Sequence, residues 1–317
     1  MSSCDFNSCF KGVDNISQDL LLNILEANFK MYLDWSFLKI GSWFDVVKPQ
    51  ETLYGTNNHY KLRHVEDPSY PDGSVWQSIR KDWVWETGSF YNSTSPISIG
   101  SVLVNGSVVN KNNNFFVDYP NGRIIFYTPI SKNANVELDY SYRFVQVLRS
   151  SESPWFNLIQ YSSFNTGNLD INQNESGEWS IGSYHRIQLP CIIIESIPSS
   201  RSRPYELGNS LLWLEQDIVL YILSENKNDR NKLLDIIRLQ QDSTLSLFDT
   251  NSVSQNDDFP LDYNGDIKNN ALMYPDLISQ YSWRKCFIKN INLIELDSKH
   301  INLHQGAARL TLEIIST

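Results

Sequence analysis

The sharpest pattern of apolar and polar positions lies between Phe115 and Phe144. Phe115–Tyr119 is a β-favouring run, Pro120-Asn121-Gly122 follows at once, and Arg123–Tyr127 is a second run. An Asn-Gly pair between two such runs predicts a hairpin, because its turn needs φ > 0. Val136–Phe144 predicts a further strand, with Val136, Leu138, Tyr140 and Tyr142 alternating with Glu137, Asp139 and Ser141. Residues 97–149 therefore read as a β-module with no catalytic motif.

Upstream, residues 1–15 read as a loose, flexible tail. Asp14 or Asn15 is placed to cap a helix beginning near Ile16. Leu20, Leu21, Ile24, Leu25, Asn28, Tyr32 and Trp35 recur at spacings of three and four, which predicts one two-faced helix ended by Gly41. Residues 48–96 are rich in loop formers. Within them lies VWQSIRKDWVWE, residues 75–86. Its three tryptophans admit two readings. One is an aromatic platform for sugar or single-stranded nucleic acid. The other, which period two favours, is a strand whose Trp76, Trp83 and Trp85, with Arg80, clamp the hairpin.

The second half reads as α/β. Tyr184–Ile197 predicts one strand and Leu211–Ser224 a longer one. Leu212, Leu214, Gln216, Ile218, Leu220 and Ile222 of the longer strand share a core-facing side. Asn228 or Asp229 is expected to cap a helix to about Gln241, with Leu233, Leu234, Ile236 and Ile237 covering the sheet. Residues 249–270 read as a polar loop, and Trp283–Leu296 and Ala307–Ile315 as the last strands. The fold class is α+β: an N-terminal helix and antiparallel β-module, then a C-terminal mixed sheet flanked by helices. The expected divisions are a tail over 1–15, a helix and sandwich-like domain over 16–150, and an α/β domain over 151–317.

Composition narrows the function. The chain of 317 residues is 41% hydrophobic and 20% charged, enough for sizeable cores. With 26 basic and 36 acidic residues its net charge is −10, which argues against a general nucleic-acid binder. No basic stretch followed by an apolar one opens the chain, so no secretory signal is expected. No apolar run approaches the roughly 20 residues that span a bilayer. Cys4 and Cys9 lack a second pair to complete a zinc site. Cys191 opens an Ile-rich run and reads as a small core hydrophobe, and reduced thiols point to assembly inside a cell.

Candidate chemistry is sparse. His300 and His304 are four apart but have no neighbouring Glu and no helical pattern, so a loop is expected there. Asp258, Asp262, Asn264, Gly265 and Asp266 lack the order of a calcium loop and read as a solvated turn. There is no nucleophile elbow, P-loop or dinucleotide motif. An enzyme acting on cell-wall sugar would need two carboxylates converging on a cleft, which spacing alone does not reveal. The expectation is no enzyme, no cofactor and no metal.

FKMYLDWSFLKIG (residues 29–41), the tryptophan segment continued to Thr87, VDYPNGRIIF (117–126) and YSYR (140–143) together make residues 16–147 resemble tailed-phage virion proteins of the structural or neck type. The order of elements from Ile187 to Ile315 is similar to that of phage tail terminator proteins. The points of similarity are the long strand Trp213–Leu223, the helix opened by Asn228-Asp229-Arg230 and the closing strand Arg309–Ile315. Terminators of that kind are single domains, and this chain prefixes an extra half. The resemblance implies a homohexameric ring in the virion neck or tail, assembled in the host cytoplasm. It would cap the tail tube, meet head-completion or connector proteins and the tail sheath, and let DNA pass without specific binding. Arg201 and Arg203, in a loop between strands, become candidates for a subunit or tube contact, and Trp76, Arg80, Trp83 and Trp85 are candidate subunit or partner contacts with them. The alternative class is a baseplate or fibre adaptor whose β-module binds carbohydrate or a receptor.

Overall fold

The apolar stripe near the amino terminus does form a helix, α1 (Leu21–Lys39). The computed structural model describes residues 13, 15–48, 58–89, 91–161, 171–173, 178–181, 185–204, 212–297 and 302–316. Asp14, Cys4, Cys9 and His300 lie outside those residues. The helix starts at Leu21 rather than near Ile16, and Leu20 at its N-cap supplies no side-chain bond. Asn15 instead closes a turn of its own, its Oδ1 accepting from the Ser17 amide at 3.0 Å. At the other end Gly41 holds φ = +77°, and a Cβ there would lie 2.4 Å from the Tyr91 ring. Only glycine fits that exit without strain.

Nine short strands follow among the described residues: β1 (Trp43–Val46), β2 (Lys61–His64), β3 (Val75–Gln77), β4 (Ser101–Val104), β5 (Ser107–Asn110), β6 (Phe115–Asp118), β7 (Arg123–Phe126), β8 (Val136–Glu137) and β9 (Tyr140–Arg143). Seven of them form a sheet in the order β5-β4-β8-β2-β3-β7-β6, and β1 pairs with β9. The expected hairpin is β6–β7, with Phe115 opposite Phe126 and Gly122 at φ = +63°. A second Asn-Gly turn, Asn105-Gly106, joins β4 to β5 with both residues at positive φ. The single strand expected over Val136–Phe144 is split into β8 and β9, which join different sheets.

The chain then supplies β10 (Gln146–Arg149), α2 (Pro154–Tyr161) and a small antiparallel sheet of β11 (Ile171–Gln173), β12 (Trp179–Ile181) and β13 (His185–Ile187). After it come β14 (Cys191–Pro204), β15 (Leu212–Ser224), α3 (Lys227–Arg238), β16 (Thr244–Phe248), α4 (Thr250–Gln255), α5 (Tyr274–Gln280), β17 (Ser282–Glu295) and β18 (His304–Ser316). The large sheet has the order β10-β14-β15-β18-β17-β16, with only β10 and β14 parallel. The protein is thus α+β, mostly sheet, with few helices. Asn226, two residues earlier than expected, caps α3 by accepting from the Asp229 amide at 2.8 Å. The region read as one polar loop over 249–270 contains α4.

Period two on β15 places the core as expected. Ile218, Leu220 and Ile222 meet Ile192, Ile194, Leu310 and Leu312 beneath Leu233, Leu234 and Ile237 of α3. The same core contains Leu25, Phe29, Leu33 and Phe37 of α1. This corrects the division at residue 150: the amino-terminal helix packs on the large sheet, and β10 is a strand of it. The opposite face is covered at one end by Trp155, Phe156 and Ile159 of α2 against Cys191, Ile193 and Leu223. Cys191 is a buried free thiol, as its apolar run implied. Among the described residues no helix is long and apolar enough to cross a membrane.

Residues 256–271 also cross the expected boundary. Leu261, Ile267 and Ala271 pack against the β-module core. Asp266 is buried, not solvated: its carboxylate takes Lys111 Nζ at 2.5 Å and the Val117 amide at 3.2 Å. The module and the large sheet are therefore stitched together from both sides.

Truncating a side chain of α1 should unfold the large sheet's core. Phe29→Ala, at a site 1% exposed, is expected to cost about 3–5 kcal/mol in urea unfolding. Leu239→Ala, at a site 76% exposed, should stay within about 0.5 kcal/mol. Equal losses would place α1 outside that core.

Candidate functional site

Strand length shapes the outer surface of the large sheet. β10 pairs with β14 only from Cys191 to Ile194, so the rest of β14's outer edge carries no strand among the described residues. β16 pairs with β17 only from Ser282 to Phe287. Beyond that, the turn at Asp242 and Ser243 reaches Ile288, after which β17's outer edge has no strand among the described residues. Because β14 and β17 run on opposite sides of the sheet, the two open segments sit at diagonally opposite corners. Both are exposed: Ser200, Arg201, Ser202 and Arg203 on one, and Asn290, Asn292, Leu293, Ile294 and Glu295 on the other. Leu293 and Ile294 are apolar side chains 37% and 45% exposed.

The half of the sheet face left open by α2 is lined with charge. Asp217 on β15 holds Arg309 and accepts from Thr311 Oγ1 at 2.8 Å, both on β18. Lys289 on β17 bridges Glu313 at 2.7 Å and reaches Glu215 at 3.8 Å. Arg201 lines the shallow depression above these pairs. Arg203 stacks over the Trp213 ring at 5.2 Å. Arg201 and Arg203 were expected in a loop. They lie instead within β14, opposite Glu215 and Trp213. Exposed pairs of this kind contribute little stability, so their value is as a patterned surface.

The tryptophans have the clamping role. Trp76, Trp83 and Trp85 are 2%, 0% and 6% exposed. The Trp83 ring packs against Tyr140 at 4.7 Å, and its Nε1 donates to Ser78 Oγ and the Arg80 carbonyl, each at 3.1 Å. Arg80 stacks on Tyr142 at 5.3 Å. Of the expected strand only β3 forms; Trp83 makes an isolated bridge to Tyr142. Buried this deeply, the three rings form no outer platform for bases or sugars, and Trp83 and Trp85 contribute only to the wall of a cleft. The structure does not bring the tryptophan cluster together with Arg201 and Arg203.

The chemically densest place was not visible in the sequence. A cleft of about 600 Å³ opens between α1, residues 81–86 and the 259–262 turn. At its floor Arg143, 3% exposed, meets three carboxylates. Its Nη2 donates to Glu86 at 2.6 Å, and its Nε lies 3.3 Å from Asp82 and 3.9 Å from Asp34. Burial opposes the charge on Arg143, but Glu86, Asp34 and Asp82 outweigh it and raise its pKa. Burial pushes the Asp34 carboxyl up to about 8, Arg143 opposing and Asp82 adding. Asp82 and Glu86 are raised by the same burial, again opposed by Arg143. Lys81 is pushed down to about 8 by burial and by Arg186. The cluster ties α1 to the module, because Asp34 is on the helix and the other three groups are on the module.

No group of three or more His, Cys, Asp or Glu side chains among the described residues is arranged to hold a metal ion. His59, buried and lowered to about 4 by burial and by Arg80, stays neutral. His64 Nε2 lies 3.1 Å from Asp72. His304 begins β18 rather than sitting in a loop.

The Asp34 shift has a defined pH signature. Its folded pKa, about 8, lies above its ordinary 3.8. The folded state thus holds the proton that the unfolded state releases. That contribution is full below about pH 4 and is lost as pH rises to about 8. Asp34→Asn should remove it, flattening a slope of at most about 1.4 kcal/mol per pH unit in chemical unfolding. Identical pH profiles for the two proteins would show that Asp34 is ionised in the fold.

No protein-family model matches the chain, and no curated protein matches it.

Proposed function

We propose that this chain is a structural protein of a tailed-phage virion, a tail terminator or neck ring subunit that performs no catalysis. The observation that carries the reading is the pair of open strand segments at opposite corners of one sheet. An unpaired strand edge is a template for another strand. Residues 197–204 of β14, past the Ser196 amide that donates to Glu26 Oε1 at 2.9 Å, and 289–295 of β17, where the Ile291 amide reaches Gln241 Oε1 at 3.4 Å, belong to antiparallel strands of similar open length. The first in one copy can pair with the second in the next copy, both copies keeping the same orientation. Such a contact is heterologous and head-to-tail, and it closes into a ring when the rotation divides the circle. The offset between the two corners is absorbed by tilting the strands against the ring axis, as stagger and tilt are linked in a closed barrel.

The resemblance of residues 16–147 and of the order of later elements supports placing that ring in the phage neck or tail, and a six-fold copy number. On this reading one rim meets the tail tube and the other the head-completion proteins. The charged sheet face with Arg201 and Arg203 lies beside the open β14 edge, where a neighbour would sit. The acidic balance of the chain offers phosphate no attraction as DNA passes. The buried tryptophans remove the feature that motivated a carbohydrate-binding adaptor.

Light scattering on the full chain tests the reading. A discrete ring mass, six copies on this account, is expected at micromolar concentration. Leu293→Lys with Ile294→Lys should return it to monomers with an unchanged circular dichroism spectrum, since both sites are exposed. A monomeric wild-type protein, or a ring indifferent to the double change, would refute the edge contact.

A further inference from the structure

We propose that the cleft between α1 and the β-module binds an organic cation, a primary ammonium or guanidinium on an apolar stem, with Asp34, whose Oδ1 makes no hydrogen bond, as its anchor. This inference does not depend on ring formation.

Charge accounting leads to it. In the cluster, Arg143 is shared by Glu86, Asp82 and Asp34, and its distances of 2.6, 3.3 and 3.9 Å leave Asp34 the least held. Asp34 Oδ1 has no hydrogen-bond partner, although the residue is only 8% exposed. An acceptor buried without a donor is costly, and an entering donor regains that energy. Arg143 Nη1 also lacks a hydrogen-bond partner, but the single guanidinium charge is already answered by Glu86 and Asp82, and the other cations on the cleft wall are engaged. Lys30 bonds to Glu152 at 2.8 Å, Arg149 bonds to the same carboxylate at 2.8 Å, and Lys81 Nζ is 3.3 Å from the Arg186 carbonyl. Asp19 and Asp262 also line the cleft and add negative charge.

Shape agrees with this chemistry. The volume, about 600 Å³, falls in the usual ligand range of about 300–1,000 Å³ and lies at a junction of two modules, a favoured place for such sites. Met31, Trp85, Phe259 and Leu261 line it and offer packing to an apolar stem. An aromatic wall beside a carboxylate suits an alkylammonium or alkylguanidinium. A hydrophobic neutral molecule would leave Asp34 Oδ1 unmatched, and an anion would face three carboxylates.

Binding should be coupled to proton release. With its carboxyl raised to about 8, Asp34 holds a proton at pH 7, and an incoming cation displaces it. Affinity should therefore grow as pH rises from 7 towards 8, by up to about tenfold per unit.

Titration calorimetry of the full chain with butylguanidinium and butylammonium, in two buffers of different protonation heat, reads both effects. Saturable binding with a buffer-dependent heat is expected, and butylurea should not bind. Asp34→Asn should weaken binding about tenfold, the scale of one hydrogen bond to a charged group, and abolish the buffer dependence. Should that variant fail to fold, Phe259→Ala at the cleft wall should weaken both cations severalfold. Saturable binding of neither cation, equal binding of butylurea, or indifference to these substitutions would overturn the proposal. Light scattering in excess butylguanidinium separates the natural sources. A fall in assembly mass identifies a basic side chain of a second copy, and an unchanged mass identifies a free small amine.

Discussion

The large sheet is longer than the elements that cover it, and most of the architecture follows from that mismatch. β14, β15, β17 and β18 have 13 or 14 residues each, so each extends about 43–46 Å at the usual rise. α3 has 12 residues and spans about 18 Å, and α1 with 19 residues spans about 28 Å. The short strands β10 and β16 shield only part of each edge. A sheet of this length buries its apolar face under two helices and a second cluster under α2, yet leaves half of the other face and two edge segments uncovered. Polar side chains occupy the uncovered face, and Asp217, Lys289, Arg309 and Glu313 pair across strands there.

The β-module solves a different problem. Its strands have two to four residues each, too short to be stable by pairing alone. Stability comes from aromatic packing around Trp83, Tyr140 and Phe115, and from docking onto the rest of the chain. The docking is polar and specific. Arg186 donates to the Ser78 and Ile79 carbonyls at 2.7 and 3.0 Å, and Gln188 bridges the Lys81 amide and the Arg143 carbonyl, each at 2.8 Å. Arg143 then gathers Asp34, Asp82 and Glu86. A buried guanidinium among carboxylates is weak evidence for net stability but strongly penalises loss of any one partner. The result is a module whose orientation on the sheet is fixed by charge and hydrogen bonds together with the apolar contacts of Met31, Leu261, Ile267 and Ala271.

Several of these features were legible in the residues. The alternation on β15 identified its core face because both neighbours pair with it along its length. The Asn-Gly signal located the β6–β7 hairpin because turn chemistry is local. The allegiance of α1 was not legible: an apolar stripe states that a face is buried, not which of two sheets buries it. Nor was the break between Glu137 and Tyr140, where the alternation continues although the strand changes sheet. Glu137, Ser141 and Arg143, on the face expected to be wet, are buried. The acidic cluster draws on α1, the tryptophan segment and β9, with no spacing motif linking them. Its one local signal was polar residues inside an apolar helix, Asn28 and Asp34. Asn28 indeed bonds the Phe248 backbone in both directions, at 3.0 and 2.8 Å.

The central claim is that the two open strand segments are each other's partners in neighbouring copies. Hydrogen exchange of the backbone amides, followed by mass spectrometry at low and high protein concentration, tests it most directly. The account predicts that residues 197–204 and 289–295 gain protection together as concentration rises, while the buried strands β15 and β18 exchange at constant rates. Exchange in both segments that is rapid and independent of concentration would contradict it.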